Sequence, residues 1–426
     1  MKLWDKGFSI DKTIEAFTIG DDREVDLYIA KYDLQASLAH AKMLAKTGIL
    51  DHNELLQIEQ SIQHLQNEVE NKTFKIEDDF EDVHSKIEFE LTQRLGDAGK
   101  KIHTARSRND QVLVALQLYY KDNLMVLQKQ VRALFDTLLN LAEQHKSELL
   151  PGYTHLQVAM PSSFGLWFSA YAEALIDDVI MLQSAQKIVD QNPLGSAAGY
   201  GSSFPIDREM TTNLLNFSDL KYNVVAAQIM RGKNEQIVAS ALGNLAFTLS
   251  KFAMDICLYM SQNFDFISFP ENLTTGSSIM PHKKNPDVFE LIRGKCNSIQ
   301  GLSSQIQMMT NNLPSGYHRD FQLLKSPMVA TFETLKTVLS VFDYGLQQVE
   351  VKSVDLKDEK YKYLFTVDSI NSLVQNGATF REAYQIIGAQ VQDGTYQCET
   401  RYNHTHIGGI DNLALDKIKA KFPKCD

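Results

Sequence analysis

The chain has 426 residues, and 44% of them are hydrophobic, which is enough for a large core divided among more than one domain. Its formal net charge of −11 at pH 7 argues against a nucleic-acid-binding protein, because phosphate binding needs a basic face. Four widely spaced cysteines without a CxxC pair indicate reduced thiols, and the charged N-terminal segment is unlike a signal peptide, so we expect a cytoplasmic protein.

The spacing of apolar residues predicts helices along most of the chain. Shorter helices are expected within residues 12–108, for example over residues 30–47 and 53–70. From Asn109 to Leu141, apolar residues recur every three or four positions without proline or glycine, which predicts one long amphipathic helix. The same spacing predicts four more long helices, over residues 164–182, over residues 238–259, from Pro286 to Met309, and from near Pro327 to Leu346.

The longest uncharged run covers residues 149–172. It contains two prolines, two glycines and a histidine, which argues against a membrane span. We interpret this run as a functional loop that leads into a buried helix.

Five long helices with near-heptad apolar stripes predict an all-α fold built on a central bundle. We expect three helical domains, over residues 1–108, 109–350 and 351–426, and in the last of these a helix begins at Arg381 and Glu382. Stripes of this length are typical of helices that also pack between subunits.

The segment GSSIMPHKKNP, residues 276–286, has the composition of a functional loop. Gly276 permits backbone conformations that other residues avoid, while two prolines prevent a helix between them. Lys283 and Lys284 precede Pro286, a favoured first helical residue, so amides and ammonium groups could converge on an anion such as a small carboxylate.

A second motif, KIHTARSRNDQV, covers residues 101–112. Asn109 or Asp110 is a suitable N-cap for the helix that follows. Arg106 and Arg108 present forked donors that match the geometry of carboxylates.

These motifs resemble a known group of enzymes. The loop has the form GSSxMPxKxN, which is similar to the signature of the fumarase/aspartase superfamily, and HTARSRNDQ resembles the corresponding stretch of argininosuccinate lyases. Three further segments resemble that family in the same order: PGYTHLQ (residues 151–157), PLGSAAGYGSSFPIDRE (193–209) and YHRDFQLLKSP (317–327). The resemblance extends over nearly the whole chain.

The resemblance implies a lyase without a metal or other cofactor, which eliminates fumarate from argininosuccinate and leaves arginine. Ser277 matches the general base, and Lys283 and Asn285 match the residues that hold the charge of the carbanion. His155 matches an acid or proton relay. The implied substrate-binding residues are His84, Arg108, Asn109, Thr154, Arg231, Tyr317, Gln322 and Lys325. Members are homotetramers in which three subunits contribute to each site.

The sequence departs from the family pattern near its N-terminus. Residues 5–7 read DKG in a segment where many members have WGGRF, and residues 18–26 differ around a substrate-contacting serine. These differences affect the expected substrate contacts more than the chemistry.

Other functions fit the sequence less well. Another fumarate-releasing lyase of the superfamily remains an alternative, as does an inactive structural protein of the crystallin type. A serine hydrolase fits poorly, because residues 195–199 read GSAAG instead of GxSxG. His404 and His406 lack an obvious further metal ligand.

Overall fold

The computed structural model describes residues 11–397 and 402–424, and these residues are predominantly α-helical. The predicted all-α class is confirmed, with only three two-stranded sheets among the described residues. The departure at residues 5–7 and two of the cysteines, Cys398 and Cys425, lie outside the described residues. The proposed domain boundaries remain predictions.

The N-terminal part consists of short and medium helices. They are α1 (Lys12–Ile19), α2 (Asp22–Val25), α3 (Ala30–Lys46), α4 (His52–Glu70), α5 (Val83–Leu95) and α6 (Asp97–Lys101), with a 3-10 turn at Asp26–Tyr28. Asp51 begins α4 with a capping box that includes Glu54. The helices predicted over residues 30–47 and 53–70 are therefore confirmed.

The longest helix, α7 (Arg108–Gln144), begins one residue before the predicted start. The prediction that Asn109 or Asp110 is the N-cap is wrong, because Ser107 has that position. The Ser107 hydroxyl accepts a hydrogen bond from the Asn109 amide at 3.3 Å, and Asp110 accepts one from the Ser107 amide at 2.9 Å. This reciprocal arrangement is a capping box, in which the acidic residue follows the cap by three positions.

The predicted loop before the next helix is a β-hairpin of β1 (Leu149–Thr154) and β2 (Gln157–Ser163). Its two-residue turn consists of His155 and Leu156, whose φ angles are 52° and 58°. Positive φ at both positions is typical of the tight turns that match strand twist, usually with Asn or Gly. Prolines in both strands concealed this hairpin from a reading of the sequence. Ser163 then caps α8 (Phe164–Val189).

The elements between residues 191 and 351 complete the central part of the chain. The remaining elements of this part are β3 (Gln191–Asn192), α9 (Arg208–Leu214), β4 (Asp219–Leu220), α10 (Val224–Ile229), α11 (Lys233–Tyr259), β5 (Ile267–Ser268), α12 (Asp287–Gln300), α13 (Leu302–Thr310), α14 (Lys325–Leu346) and β6 (Glu350–Val351), with 3-10 turns at Glu271–Leu273 and Arg319–Leu324. The single helix predicted from Pro286 to Met309 is wrong, because it is divided at Gly301, a residue of low helix propensity.

The core lies where α7, α8, α11 and α14 pack together. A row of aromatic rings crosses this core: Tyr171 stacks on Phe252 at 4.1 Å between centroids, and Phe252 stacks on Phe342 at 5.1 Å. Among the described residues, α11 is the one helix with the length and hydropathy to cross a membrane, but 56% of that stretch is buried inside the protein. We therefore assign α11 to the bundle core.

The C-terminal part has a small core of its own. It contains α15 (Thr366–Gln375), α16 (Phe380–Gln392) and α17 (Leu415–Lys421), with a 3-10 turn at Glu359–Tyr361. Ile370, Ala383 and Ile387 form a cluster separate from the main core. The start predicted for the helix of Arg381 and Glu382 is confirmed, because Thr379 and Glu382 form a capping box at α16.

Candidate active site

Most of the predicted substrate-binding residues meet in one cavity of about 340 Å³. The cavity lies where the first turns of α5, α7 and α14 come together. The predicted residues that line it are His84, Arg108, Asn109, Arg231, Tyr317, Gln322 and Lys325. Thr154 does not line it.

Arg108 is held at the cavity by the residues that begin α5. Its guanidinium lies 3.0 Å from an Asp82 carboxylate oxygen and 3.7 Å from Glu81. Asp82 also caps α5 by accepting a hydrogen bond from the Ser85 amide at 2.8 Å. Burial would raise the pKa of Asp82, but His84 and Arg108 outweigh burial and lower this pKa. The charged pair therefore fixes one end of α7 against one end of α5.

His84 is buried beside a second carboxylate. Its Nδ1 atom lies 3.1 Å from Asp33, which also accepts hydrogen bonds from Gln111 at 2.9 and 3.1 Å. Burial would lower the pKa of His84, but Asp33 and Asp82 outweigh burial and raise this pKa. The two carboxylates therefore favour the cationic form of His84 at this side of the cavity.

Lys325 begins α14 and points into a buried acidic site. Its ammonium lies 2.8 Å from Asp22 and 2.6 Å from Asp26. Burial would lower the pKa of Lys325, but the charges of Asp26 and Asp22 outweigh it and raise this pKa. Lys325 therefore remains an ammonium group inside the protein.

Arg231 lies in the stretch between α10 and α11. Its guanidinium carbon is 5.2 Å from the ring centre of Tyr317 and 5.5 Å from that of Phe321, within the range of cation–π contacts. Its Nε and Nη1 atoms are buried and contact no hydrogen-bond acceptor among the described residues. Such donors are suited to an anionic ligand.

Gln322 connects the cavity to the end of α1. Its side-chain amide donates to the Thr18 carbonyl at 2.8 Å and to the Ile19 carbonyl at 3.1 Å. Arg319 donates to the same Thr18 carbonyl at 2.9 Å and to Gln322 at 3.1 Å. The segment in which the sequence departs from the family pattern therefore forms part of the cavity wall.

The predicted catalytic loop is built separately from this cavity. The Ser277 hydroxyl accepts a hydrogen bond from the Met280 backbone amide at 3.2 Å, and the Asn285 backbone amide donates to the Thr275 carbonyl at 2.8 Å. Lys283 is exposed, and α12 begins at Asp287, just beyond the loop. Ser277, Lys283 and Asn285 thus share one loop, but none of them lines the cavity of their own chain.

The predicted proton relay lies at a third place. Thr154 and His155 are exposed at the tip of the β1–β2 hairpin, and neither lines the cavity. One chain therefore carries the predicted functional residues in three groups: the cavity, the loop and the hairpin tip.

Comparisons with known proteins agree with the motifs. A family profile described as lyase matches residues 8–301. An argininosuccinate lyase from Bacteroides fragilis is 51% identical over 419 residues, covering 98% of this chain and 94% of its own length. An argininosuccinate lyase from Thermotoga neapolitana is 40% identical over 386 residues, covering 91% of this chain and 97% of its own. The chain belongs to the argininosuccinate lyase family.

The fold agrees with a wider group of lyases. A class II fumarase from Schistosoma mansoni superposes with a TM-score of 0.77 at 16% identity, over 96% of this chain and 93% of its own. At this identity the likeness shows the fold alone. Membership of the argininosuccinate lyase family confirms the resemblance inferred from the motifs.

In this member of the argininosuccinate lyase family, several cavity residues were not predicted from the sequence motifs. Besides the hydrophobic Ile19 and Val112, the cavity is lined by Asp22, Glu81, Asp82, His103 and Arg319. Four of them had a visible signal. His103 and Arg319 lie within the family-like segments 101–112 and 317–327, Asp82 stands two positions before His84, and Asp22 lies within the departing segment 18–26.

Asp110 links two of the family motifs. One carboxylate oxygen accepts the Ser107 amide at 2.9 Å, and the other accepts the amides of Gly195 and Ala197, each at 2.9 Å. Ala197 has a φ angle of 52°, a conformation that is strained for a non-glycine residue and needs such support, whereas Gly195 adopts its φ of 84° without strain. Asp110 therefore holds the GSAAG segment against the start of α7, next to Arg108.

Proposed function

We propose that this protein cleaves argininosuccinate to arginine and fumarate, as a carbon–nitrogen lyase of arginine biosynthesis in the cytoplasm. The observation that carries the proposal is the cavity, which unites seven of the eight predicted substrate-binding residues. The family relatives named argininosuccinate lyase support the same reaction, at 51% identity over 98% of the chain.

The charges of the cavity suit this substrate. Argininosuccinate carries carboxylates on its succinyl portion and cationic nitrogen groups on its arginine portion. The cavity offers Arg108, Arg231 and Arg319 as cations, and Asp22, Glu81 and Asp82 as carboxylates. A wall with both charges can bind and orient a substrate that has both.

The reaction requires the removal of a weakly acidic proton next to a carboxylate, followed by cleavage of the C–N bond. We assign Ser277 as the base that takes this proton. Lys283 and Asn285 stabilise the extra negative charge that develops on the carboxylate. His155 supplies or relays the proton that the departing nitrogen takes up. A serine hydroxyl is a weak base, so closure of the loop and nearby cations must lower its pKa.

We further propose a homotetramer in which each site takes residues from three subunits. The separation of the cavity, the catalytic loop and the hairpin tip within one chain supports this arrangement. Large apolar side chains are also exposed on the bundle helices, including Ile180 on α8, Phe247 on α11 and Leu291 on α12. Association through these helices would bury such side chains and bring the three groups together.

An assay of fumarate formation tests the reaction. The purified protein should release fumarate from argininosuccinate without added metal or nucleotide, and more efficiently than from adenylosuccinate, aspartate or malate. Preference for one of these control substrates would indicate another lyase of the superfamily. Release of no fumarate from any of them would indicate the structural, crystallin-like alternative.

A further inference from the structure

The cavity contains a buried carboxylate that the family motifs do not assign. Asp22 is the first residue of α2, and it lines the cavity beside Lys325. Only 9% of the residue is exposed. A buried carboxylate normally needs a partner of opposite charge, so its surroundings indicate what it does.

The nearest cation already has another counter-ion. Lys325 contacts both Asp22, at 2.8 Å, and Asp26, at 2.6 Å. Asp26 is fully buried, and its other oxygen accepts a hydrogen bond from the Val83 amide at 3.2 Å. Asp26 can therefore balance the Lys325 ammonium without Asp22. The two carboxylates and the ammonium group together carry a net charge of −1.

The other cavity carboxylates are placed differently. Asp82 lies 3.0 Å from Arg108 and also caps α5, which balances its charge. Glu81 lies 3.7 Å from the same guanidinium and is only partly buried, so water can still solvate its charge. Asp22 is thus the carboxylate at which a ligand cation would remove an unbalanced charge. This gain is large in a buried site, because an excess charge there is poorly solvated.

We propose that Asp22 is a specificity-determining residue, whose carboxylate binds a cationic N–H donor on the arginine portion of the substrate. Lys325 positions this carboxylate, and the substrate cation completes a set of two carboxylates and two cations. Because the ligand is the arginine portion of argininosuccinate, this role rests on the proposed function.

The protonation of Asp22 provides a readout that a structural role would not produce. Burial raises the pKa of Asp22 to about 6, with Lys325 opposing this shift and Asp26 and Asp82 adding to it. Above this pH the group is a carboxylate, and below it the group is neutral. Affinity for a cation should therefore fall as the pH is lowered through about 6. His84 and His103, the histidines that line the cavity, are retained in Asp22→Asn, so a difference between its pH profile and that of the wild type reports on Asp22.

Calorimetric titration of the full-length protein with L-arginine and, separately, with fumarate tests the role. Asp22→Asn should weaken the binding of L-arginine by about tenfold or more, the effect expected for loss of a charge-assisted hydrogen bond, and leave fumarate within about twofold. Asp21→Asn is the matched control, because Asp21 is the exposed neighbour and does not line this cavity. It should bind both ligands like the wild type.

Nα-acetyl-L-arginine, which lacks the ammonium group, identifies the cation. A loss with L-arginine alone assigns the ammonium, and an equal loss with both assigns the guanidinium. Should Asp22→Asn fail to fold, Asp22→Ser takes its place, because it also removes the charge, and its L-arginine affinity and pH profile are compared with those of the wild type. The role is overturned by a wild type that does not bind L-arginine, by a loss of less than about tenfold, or by affinity that stays constant through pH 6. Fumarate release by the wild type tests the proposed function independently.

Discussion

Replacement of Asp110 should strongly destabilise the protein. Its carboxylate accepts three backbone amides, from Ser107, Gly195 and Ala197, each at 2.9 Å. Hydrogen bonds to a charged group contribute roughly 1.5 kcal/mol or more each, and the desolvation of the buried carboxylate offsets part of their sum. We therefore expect Asp110→Ala to lower the free energy of unfolding by about 3–4 kcal/mol.

Asp110→Asn should have about half of this effect. The side-chain carbonyl oxygen of Asn can accept either the Ser107 amide or the amides of Gly195 and Ala197. Its NH2 group then faces the remaining amide donor or donors. The measurement is urea unfolding followed by circular dichroism, at one fixed protein concentration because association would add to the stability. Asp136→Ala, which removes an exposed pair with Arg132 on the same helix, is the control and should cost under about 1 kcal/mol.

The same variants should impair function, because the start of α7 presents Arg108, Asn109 and Val112 to the cavity. The KM for argininosuccinate should rise in Asp110→Asn and rise further in Asp110→Ala, because each variant holds the start of α7 less firmly. The reasoning is refuted if the free energy of unfolding of Asp110→Ala lies within about 1 kcal/mol of the wild-type value. Water would then satisfy the three amides as well as the carboxylate does.

Three further predictions concern chemistry, assembly and pH. Ser277→Ala should abolish turnover and leave substrate binding nearly intact; steady-state activity within about tenfold of the wild type would exclude the base role. Inactive Ser277→Ala mixed with inactive His155→Ala should regain activity at about a quarter of sites, whereas mixtures that stay inactive after proven subunit exchange would contradict shared sites. Burial raises the pKa of Asp178 to about 7 from 3.8, so the folded state holds this proton more tightly and its stability falls as pH rises from about 4 to 7. Asp178→Asn should therefore be more stable than the wild type at pH 8 but not at pH 4, and equal unfolding midpoints at both values would refute this.

The helices could be predicted from the sequence, because their signal is local. Apolar residues every three or four positions place one face of α7 in the core whatever the rest of the chain does. The motif around Arg108 and the segment of residues 317–327 were equally visible, and through family resemblance they indicated several of the residues that line the cavity. The break at Gly301 was missed, because an isolated glycine can be tolerated within a helix, as Gly294 is within α12.

Contacts between distant segments were decided by the tertiary structure alone. Lys325 and Asp26 are 299 residues apart, and no local pattern predicts that the ammonium of one is buried against the carboxylate of the other. The turn at His155 depends on strand pairing, which holds a backbone conformation that these residues avoid on their own. The charge of Asp22 likewise became informative only when the fold placed it beside a lysine that already had a counter-ion, since burial and neighbouring charges determine how strongly a carboxylate holds its proton.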